Sequence, residues 1–278
     1  MTGPDTLLDC RGVEVVYGSR RQALGQDPGG VKVLHGIDLS IDRGESVGIV
    51  GESGSGKSTL GRALLRLGEV ASGTIRFAGS DITRLDEAQM RPFRRRMQMI
   101  FQDPMASLNP RHRIRRILSE PMLFHRVCQP EAVAGRLARM LERVGLPAQA
   151  LDRFPHELSG GQRQRVGIAR AALLEPDFVV ADEIVSGLDV STQAQALSLL
   201  KELCRDLGLA MAFIGHDLSV IRAICDRVYV LRNGRVVEQG PCERIFTSPS
   251  SDYTRALIDA IPLPEPDPDW LARERLAG

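Results

Sequence analysis

Short apolar runs alternate with polar segments along the first fifty residues of the chain. Runs at 7–17, 31–41 and 46–50 predict β-strands, and a shorter run at 73–77 predicts another. The stretch 18–30 is polar and rich in glycine, which indicates a surface loop. The first part of the chain is therefore predicted to be mainly β structure.

A helical period dominates the middle of the chain, from about 89 to 154. One apolar helix face is formed by Ala134, Leu137, Met140, Leu141 and Val144. Pro130 suits the opening of that helix, because a proline at the first position loses no helical hydrogen bond. We interpret residues 89–165 as a helical lobe inserted into the rest of the fold.

The last third of the chain returns to alternating strands and helices. Strands are predicted at 178–181 and 210–214, with a helix at 192–207 between them. Asn233 and Gly234 separate apolar runs at 228–231 and 235–237, which is a strong hairpin signal. This alternation predicts an α/β fold with a mostly parallel sheet. Alternate prolines after residue 261 predict an extended tail at 261–278.

Charge and composition narrow the possible functions. The chain has 278 residues, 43% of them hydrophobic, which is enough for one large core or a core with a smaller lobe. Lys and Arg total 36 against 35 Asp and Glu, so no overall positive field favours nucleic acid. The arginines at 94–96, 111, 113, 115 and 116 make the lobe locally basic. Solvated helix faces are the ordinary explanation, and contact with a partner or with phosphates is the alternative.

The cysteines and the apolar segments indicate a chain without disulfides or membrane spans. Five scattered cysteines include no Cys-x-x-Cys pair, which argues against a zinc site or a disulfide framework. The first residues contain neither a basic nor an apolar signal segment. No apolar stretch approaches the roughly 20 residues that cross a bilayer. We expect a protein that is soluble or held at a membrane by partners.

A glycine-rich loop that suits phosphate binding follows the strand at 46–50. Its sequence is Gly51-Glu52-Ser53-Gly54-Ser55-Gly56-Lys57-Ser58, and Thr59 continues into a predicted helix. The glycines let the backbone curl so that successive N–H groups point at phosphates, and the helix N-terminus adds its dipole. Lys57 would bind the β and γ phosphates of a nucleotide, and Ser58 would bind Mg²⁺.

Two acids and two polar side chains are candidates for hydrolysis. Asp182 and Glu183 follow the strand at 178–181, at the carboxyl end where α/β sheets bind ligands. Asp182 would hold Mg²⁺ and Glu183 would act as the base for an attacking water, although two acids at a helix start are also a common structural feature. His216 and Gln102 could orient that water or sense the metal, whereas by themselves a structural histidine and an ordinary loop glutamine would be the usual interpretations.

Together with Leu158-Ser159-Gly160-Gly161-Gln162, these motifs resemble those of the ATP-binding cassette (ABC) family. The loop at 51–58 is similar to its Walker A loop, Gln102 to its Q-loop, 158–162 to its signature motif and 178–183 to its Walker B strand. Ser186-Gly187-Leu188-Asp189 is similar to the D-loop and His216 to the switch histidine. Tyr17 lies where the family places an aromatic ring against adenine. The resemblance covers about 7–245, with six motifs in the family's order.

The resemblance implies a fold and a mechanism. The fold would be α/β, a P-loop NTPase RecA-like core with a mostly parallel sheet, an N-terminal antiparallel β subdomain and an inserted α-helical subdomain. The cassette would span 7–260, with the lobe at 89–165. Two cassettes would dimerise head to tail around two ATP molecules with Mg²⁺. Ser159 and Gly161 of one chain would then contact the γ-phosphate held by Lys57 of the other, and Gly160, Gln162 and Asp189 would also line the nucleotide site.

A narrower resemblance is to the peptide and nickel importer subgroup. The segments that show it are 101–111, 189–193 and 252–257. Within the subgroup, the proline-rich tail is most similar to that of the second ATPase of dipeptide and oligopeptide importers. Nickel, metallophores, glutathione and opines are the alternative cargoes. The implied partners are two transmembrane permease subunits, a second and non-identical ATPase subunit and, indirectly, an extracytoplasmic binding protein, with no nucleic acid. The implied location is the cytoplasmic face of the inner membrane.

The chain departs from the subgroup at two positions, and it lacks cysteines in the tail. Ile184 replaces the usual proline and Gly187 the usual alanine, and neither change removes a catalytic group, so we expect hydrolysis to be intact. No cysteine follows Cys242, so no iron–sulfur cluster is expected in the tail.

Two other functions are alternatives. A soluble ABC protein acting on DNA or ribosomes would usually carry a second cassette or long heptads, which are not evident. A kinase or GTPase would not carry the signature motif.

Overall fold

The computed structural model describes residues 5–18, 30–187 and 189–260. The predicted loop residues 19–29, Leu188 of the D-loop and the predicted tail at 261–278 lie outside the described residues. The strands are β1 (Thr6–Tyr17), β2 (Val31–Asp42), β3 (Ser46–Val50), β4 (Ser72–Phe77), β5 (Ser80–Asp81), β6 (Met97–Ile100), β7 (Phe178–Asp182), β8 (Ala210–Ile214), β9 (Arg227–Arg232) and β10 (Arg235–Pro241). The helices are α1 (Lys57–Leu64), α2 (Glu87–Arg96), α3 (Pro104–Ser107), α4 (Ile114–Phe124), α5 (Val133–Arg143), α6 (Gly160–Ala172), α7 (Val190–Leu207), α8 (Leu218–Ile224), α9 (Cys242–Thr247) and α10 (Asp252–Asp259).

The first sheet is antiparallel and has the strand order β2-β1-β4-β5. Its long strands β1 and β2 pair along nearly their whole length, with register shifts that mark bulges. Buried residues alternate with exposed ones along β2, as expected for a strand with one face on the core. This sheet matches the predicted N-terminal β structure.

The second sheet has the order β10-β9-β3-β8-β7-β6, and all its neighbouring strands are parallel except β9 and β10. Every residue of β7 and β8 is buried, because helices cover both faces of a parallel sheet. Strand β3 lies between β8 and β9, so its carboxyl end is central in the sheet. The loops that follow β3, β7 and β8 therefore meet at one edge, where α/β sheets place their ligands.

Helix α1 packs unusually close to this sheet at Gly61. A Cβ on Gly61 would lie 2.5 Å from Cδ1 of Ile214 and 3.0 Å from Cγ1 of Val180. Only a residue without a side chain permits this approach. The close packing fixes the start of α1 against the carboxyl ends of β7 and β8.

The helical segment contains one strand that the hydrophobic pattern did not predict. Met97–Ile100 forms β6, which pairs in parallel with β7 at the edge of the core sheet, inside the stretch where we expected the helical period to dominate. The helices α3 to α5 follow it. The predicted helix face is largely correct in α5: Leu137, Leu141 and Val144 are buried, whereas Ala134 is exposed. Pro130 begins a short 3-10 turn directly before α5.

The end of the described chain returns to the core sheet. The β9–β10 hairpin turns at Asn233 and Gly234, whose φ angles of 48° and 70° are those of the predicted two-residue turn. Asn233 at its tip is exposed, but Gly234 is buried. The Gly234 N–H donates to the Ser55 carbonyl (2.9 Å), and the His35 N–H donates to the Gly234 carbonyl (2.9 Å). The hairpin therefore joins the loop after β3 to the first sheet. None of the helices in the described parts of the chain is both long and apolar enough to cross a membrane.

Candidate functional site

The loop between β3 and α1 has the backbone that the glycine spacing predicts. Gly51, Gly54 and Gly56 have φ angles of 149°, 79° and 103°, a region that side chains disfavour. A Cβ on Gly51 would overlap the carbonyl oxygen of Leu231 at the end of β9. The loop is therefore a tight concave turn that rests on β9.

Lys57 lies at the centre of this turn and is only 6% exposed. Its ammonium donates to the carbonyl oxygens of Gly51 and Glu52, both at 2.8 Å. Burial lowers the pKa of Lys57, and the nearby carboxylates of Glu183 and Asp182 oppose that shift. A cation held over a turn of backbone N–H groups can bind the phosphates of a nucleotide.

The side-chain oxygens of Ser55, Ser58 and Asp182 fit a nucleotide with its metal. The hydroxyl of Ser55 is buried and has no hydrogen-bond partner within the described residues, so it can form a hydrogen bond with a phosphate oxygen. The Ser58 hydroxyl donates to Oδ1 of Asp182 at 3.0 Å, so the predicted magnesium residues of α1 and β7 do meet. Burial raises the pKa of Asp182, and the hydrogen bond from Ser58 opposes the rise. Hydroxyl and carboxylate oxygens are the donors that Mg²⁺ prefers.

Glu183 lies close to the two remaining candidates for hydrolysis, Gln102 and His216. The side-chain amide of Gln102 donates to Oε2 of Glu183 at 3.0 Å, and Nδ1 of His216 lies 3.8 Å from the same oxygen. Glu183 has a positive φ of 46°, a strained backbone that its N–H bond to the Ile214 carbonyl (2.9 Å) helps to hold. Gln102 and His216, which are far apart in sequence, thus converge on one carboxylate oxygen of Glu183. A carboxylate placed in this way can accept a proton from water.

The signature segment is organised by its own helix start. Ser159 is the exposed N-cap of α6: its hydroxyl accepts from the Gln162 N–H at 3.3 Å, and the Gln162 side chain accepts from the Ser159 N–H at 3.0 Å. This reciprocal pair is a capping box. Gly161 is packed against α7, because a Cβ there would lie 2.6 Å from the Thr192 side chain. The box uses the N–H groups of Ser159 and Gln162. Those of Gly160 and Gly161 belong to the first turn of α6, a positive helix end that can bind an anion.

Asp189 and Tyr17 are the remaining candidates, and Gly187 and Ile184 are the two positions that depart from the subgroup. Asp189 caps α7 by accepting from the N–H of Thr192 (2.9 Å) and from its hydroxyl (2.7 Å), and these bonds lower its pKa. Gly187 has a φ of 76°, which suits glycine better than the alanine usual in the subgroup. Ile184 is buried, in keeping with an apolar replacement for proline. Tyr17, the last residue of β1, is 47% exposed and thus has a ring face available for contact.

One contact to the phosphate loop was not predicted. The backbone N–H of Glu52 donates to the hydroxyl of Tyr253, which belongs to α10 and is 201 residues away in sequence. The sequence of the segment around Tyr253 is similar to the importer subgroup, but no local pattern connects this segment with the loop. A fold-level contact of this kind has no signature in a single sequence.

A comparison with protein-family models decides the family of the chain. The model described as ABC transporter matches residues 34–186, a range that contains the phosphate loop, Gln102, the signature segment and Glu183. The chain belongs to the ABC transporter ATP-binding family. It is an ATPase that uses ATP with Mg²⁺, on the fold that the sequence resemblance implied.

Relatives of this ABC protein cover most of its length. A Brucella ovis protein, whose name assigns it provisionally as a peptide import ATP-binding protein, is 51% identical over 261 residues, which is 94% of this chain and 80% of the relative. The oligopeptide transport ATP-binding protein OppF of Bacillus subtilis is 46% identical over 241 residues, 86% of this chain and 79% of its own. Among solved structures, the dimeric post-hydrolysis state of the ATP-binding cassette MJ0796 bound to ADP and Pi has a TM-score of 0.75 at 28% identity, covering 85% of this chain and 99% of that one.

Proposed function

We propose that this ABC protein is the ATP-hydrolysing subunit of an importer for dipeptides or oligopeptides. It works at the cytoplasmic face of the inner membrane, bound to two transmembrane permease subunits. A second, non-identical ABC ATPase completes the nucleotide sites, and an extracytoplasmic binding protein delivers the cargo. The support for peptide cargo is the identity of 46% and 44% to two OppF proteins of oligopeptide transport, over 86% and 94% of the chain.

The support for the hydrolytic part is the convergence of Gln102 and His216 on Oε2 of Glu183, next to the Ser58–Asp182 pair. ATP with Mg²⁺ supplies the phosphoanhydride bond that is broken and the metal charge that neutralises its oxygens. In this proposal the loop N–H groups of 51–58 and the Lys57 ammonium bind the β and γ phosphates, and Thr59 continues the cradle into α1. Tyr17 holds the adenine ring by stacking.

Glu183 provides the base. Its carboxylate accepts a proton from the attacking water, whose oxygen forms the new bond to phosphorus while the β–γ bridging oxygen leaves with the ADP. His216 keeps the water in line and Gln102 keeps the carboxylate turned toward it. Ser58 and Asp182 would hold the metal, and Gln102 would contact it. The bond from the Glu183 N–H to the Ile214 carbonyl holds the backbone from which this side chain extends, and the Gln102 amide holds the carboxylate.

Closure completes the site from a second subunit. Ser159, Gly160, Gly161 and Gln162 present the N-terminus of α6 to the γ-phosphate held by Lys57 of the partner ATPase, and Asp189 lines the same contact. Loss of that phosphate removes the charge that joins the two subunits. The resulting opening is the movement passed to the permeases.

Transport by the assembled complex tests the cargo. The chain, the two permeases and the second ATPase encoded beside it would be reconstituted in lipid vesicles with the neighbouring binding protein. We expect ATP-dependent uptake of labelled dipeptides or oligopeptides and none of labelled Ni²⁺. Uptake of Ni²⁺ or a metal chelate in place of peptide would overturn the peptide assignment and leave the ATPase role intact.

A further inference from the structure

The last described helix, α10, contacts the 51–58 loop through one hydroxyl. The Glu52 N–H donates to the Tyr253 hydroxyl at 3.1 Å. The same peptide group carries the Gly51 carbonyl, which accepts from the Lys57 ammonium at 2.8 Å. A peptide group is planar, so fixing its N–H also fixes the direction of its carbonyl. Tyr253 and Lys57 thus hold opposite ends of the first peptide of the loop.

Tyr253 is itself held from two sides. The Arg232 guanidinium lies over its ring, 4.8 Å from the ring centre. Arg232 ends β9 and follows Leu231, the residue whose carbonyl leaves no room for a side chain at Gly51. A cation over a tyrosine ring is attractive and restricts the ring's position. The phenol therefore lies against the same strand end that supports the loop.

A buried carboxylate anchors the start of α10. Glu238 of β10 accepts from the N–H of Ser250 (2.8 Å), from its hydroxyl (2.6 Å) and from the N–H of Ser251 (3.1 Å). These residues immediately precede α10. The core sheet thus fixes the turn before the helix, and the helix fixes Tyr253.

We propose that Tyr253 is a positioning residue for ATP binding, which holds the Gly51–Glu52 peptide in the conformation that receives the phosphates. Binding then orders less of the loop, because this peptide is already oriented. The α10 segment also borders the loop: Leu257 and the C-cap residue Ala260 line a cleft of about 520 Å³ together with Gly51 and His216. The inference rests on the proposed role of 51–58 in phosphate binding.

Replacement of Tyr253 by Phe tests this role, since it removes the hydroxyl and keeps the ring over which Arg232 lies. In the full chain we expect the Kd for Mg-ATP, measured by titration calorimetry, to rise about threefold to tenfold, the range for loss of one hydrogen bond. In the assembled transporter the KM for ATP should rise by a similar factor while kcat stays within about twofold. The melting temperature of the nucleotide-free chain should not change measurably.

Two control variants separate positioning from folding. Tyr229 is buried, and its hydroxyl bonds the N–H and carbonyl of Ser40 in the first sheet (3.1 and 3.2 Å). Tyr229→Phe should lower the melting temperature and leave the Kd for ATP unchanged, the reverse of Tyr253→Phe. Arg255→Ala removes an exposed ion pair to Asp252 on α10 and a long 3.4 Å hydrogen bond to the Pro249 carbonyl, and it should change neither quantity.

A Kd within twofold of the parent in Tyr253→Phe would overturn the proposal. So would a weaker Kd accompanied by a loss of melting temperature like that of Tyr229→Phe, because the hydroxyl would then act only through folding. Lys57→Ala tests the proposed function independently. If Lys57→Ala binds ATP as the parent does, the loop assignment fails, whatever the Tyr253 variant shows.

Discussion

At the scale of single residues, Glu183 combines a strained backbone with a polar cluster. Its backbone φ is positive, and its carboxylate oxygen has the Gln102 amide at 3.0 Å and the His216 ring nitrogen at 3.8 Å. The chain maintains this arrangement through the Gln102 amide and through the carbonyl at the end of β8. Strain of this sort usually marks a functional site.

Glu183→Gln should abolish hydrolysis while preserving nucleotide binding. The amide keeps the size and backbone requirement of Glu183 and cannot accept a proton, so we expect kcat in the assembled complex to fall by about 100-fold or more. The Kd for Mg-ATP should stay within about threefold of the parent value.

Glu175→Gln is a matched control for that variant. Glu175 also has a positive φ, of 51°, and pairs with Arg136 away from the site. Its replacement should leave kcat unchanged. Hydrolysis at the parental rate by Glu183→Gln would remove Glu183 from the role of base.

At the scale of elements, the fit of α1 on the core sheet decides whether Ser58 reaches Asp182. Gly61 sits where a Cβ would press on Ile214 and Val180, whereas Gly167 of α6 is a buried helical glycine with nothing within 4 Å of its Cβ position. Gly61→Ala and Gly167→Ala gain the same helix propensity, so their difference isolates the packing term.

We expect Gly61→Ala to be less stable than Gly167→Ala by about 1–3 kcal/mol in the free energy of unfolding, from overpacking. Denaturation with urea measures both variants. Gly61→Ala should also weaken ATP binding, because a displaced α1 separates Ser58 from Asp182. Equal stabilities would mean that the sheet can yield at this point without cost.

The anchor of α10 predicts a pH dependence. Burial alone would raise the pKa of Glu238, but the hydrogen bonds from Ser250 and Ser251 outweigh it and lower the pKa to about 2. Because the folded pKa lies below the ordinary value of 4.5, the carboxylate stabilises the fold above pH 4.5, and this contribution is lost as the pH falls toward 2.

Glu238→Gln should therefore be less stable than the parent at pH 7, and the difference should shrink as the pH is lowered from 4.5. Chemical denaturation at several pH values measures this difference. Glu243→Gln, on the neighbouring helix α9, is the control. A difference that stays constant down to pH 3 would contradict the role given to the charge.

Most strands could be predicted from the sequence to within a residue or two, and the reason is physical. Buried parallel strands such as β7 and β8 are continuous apolar runs, and the Asn233-Gly234 turn has a specific backbone requirement. Strand β6 was not predicted, because its four residues follow α2 directly and carry no turn signal. Pairing with β7 makes it a strand, and pairing is not visible in local sequence.

The positions of the candidate residues could be predicted where one loop or one strand end carries a motif. The 51–58 loop, the Ser58–Asp182 pair and the approach of Gln102 and His216 to Glu183 follow from motifs that lie at the same sheet edge. Tyr253 could not be found in this way, since its contact depends on how α9 and α10 return to β3. The roles of the site residues stay predictions until the variants are measured.

At the scale of the whole molecule, the exposed start of α6 should control association with the partner ATPase. Ser159→Asp keeps a side chain that caps a helix, so the chain should fold with unchanged stability. The added negative charge would face the γ-phosphate across the interface. We expect ATP-dependent association with the partner, measured by light scattering in a Glu183→Gln background, to be lost.

Ser159→Ala provides the opposite comparison. It removes the cap and should cost about 0.5–2 kcal/mol of stability, while the helix N-terminus stays available to the phosphate. Association should then persist at a reduced level. If Ser159→Asp associates as well as the Glu183→Gln parent, the signature turn does not face a nucleotide.

The β9–β10 turn has a practical implication for anyone who labels this protein. Short hairpin tips usually tolerate an inserted tag or a fluorophore. Here Gly234 bonds to two other parts of the fold: its N–H donates to Ser55 in the loop after β3, and its carbonyl accepts from His35 in the first sheet. A label at that corner would separate the loop after β3 from the amino-terminal sheet, so reporters belong elsewhere on the surface.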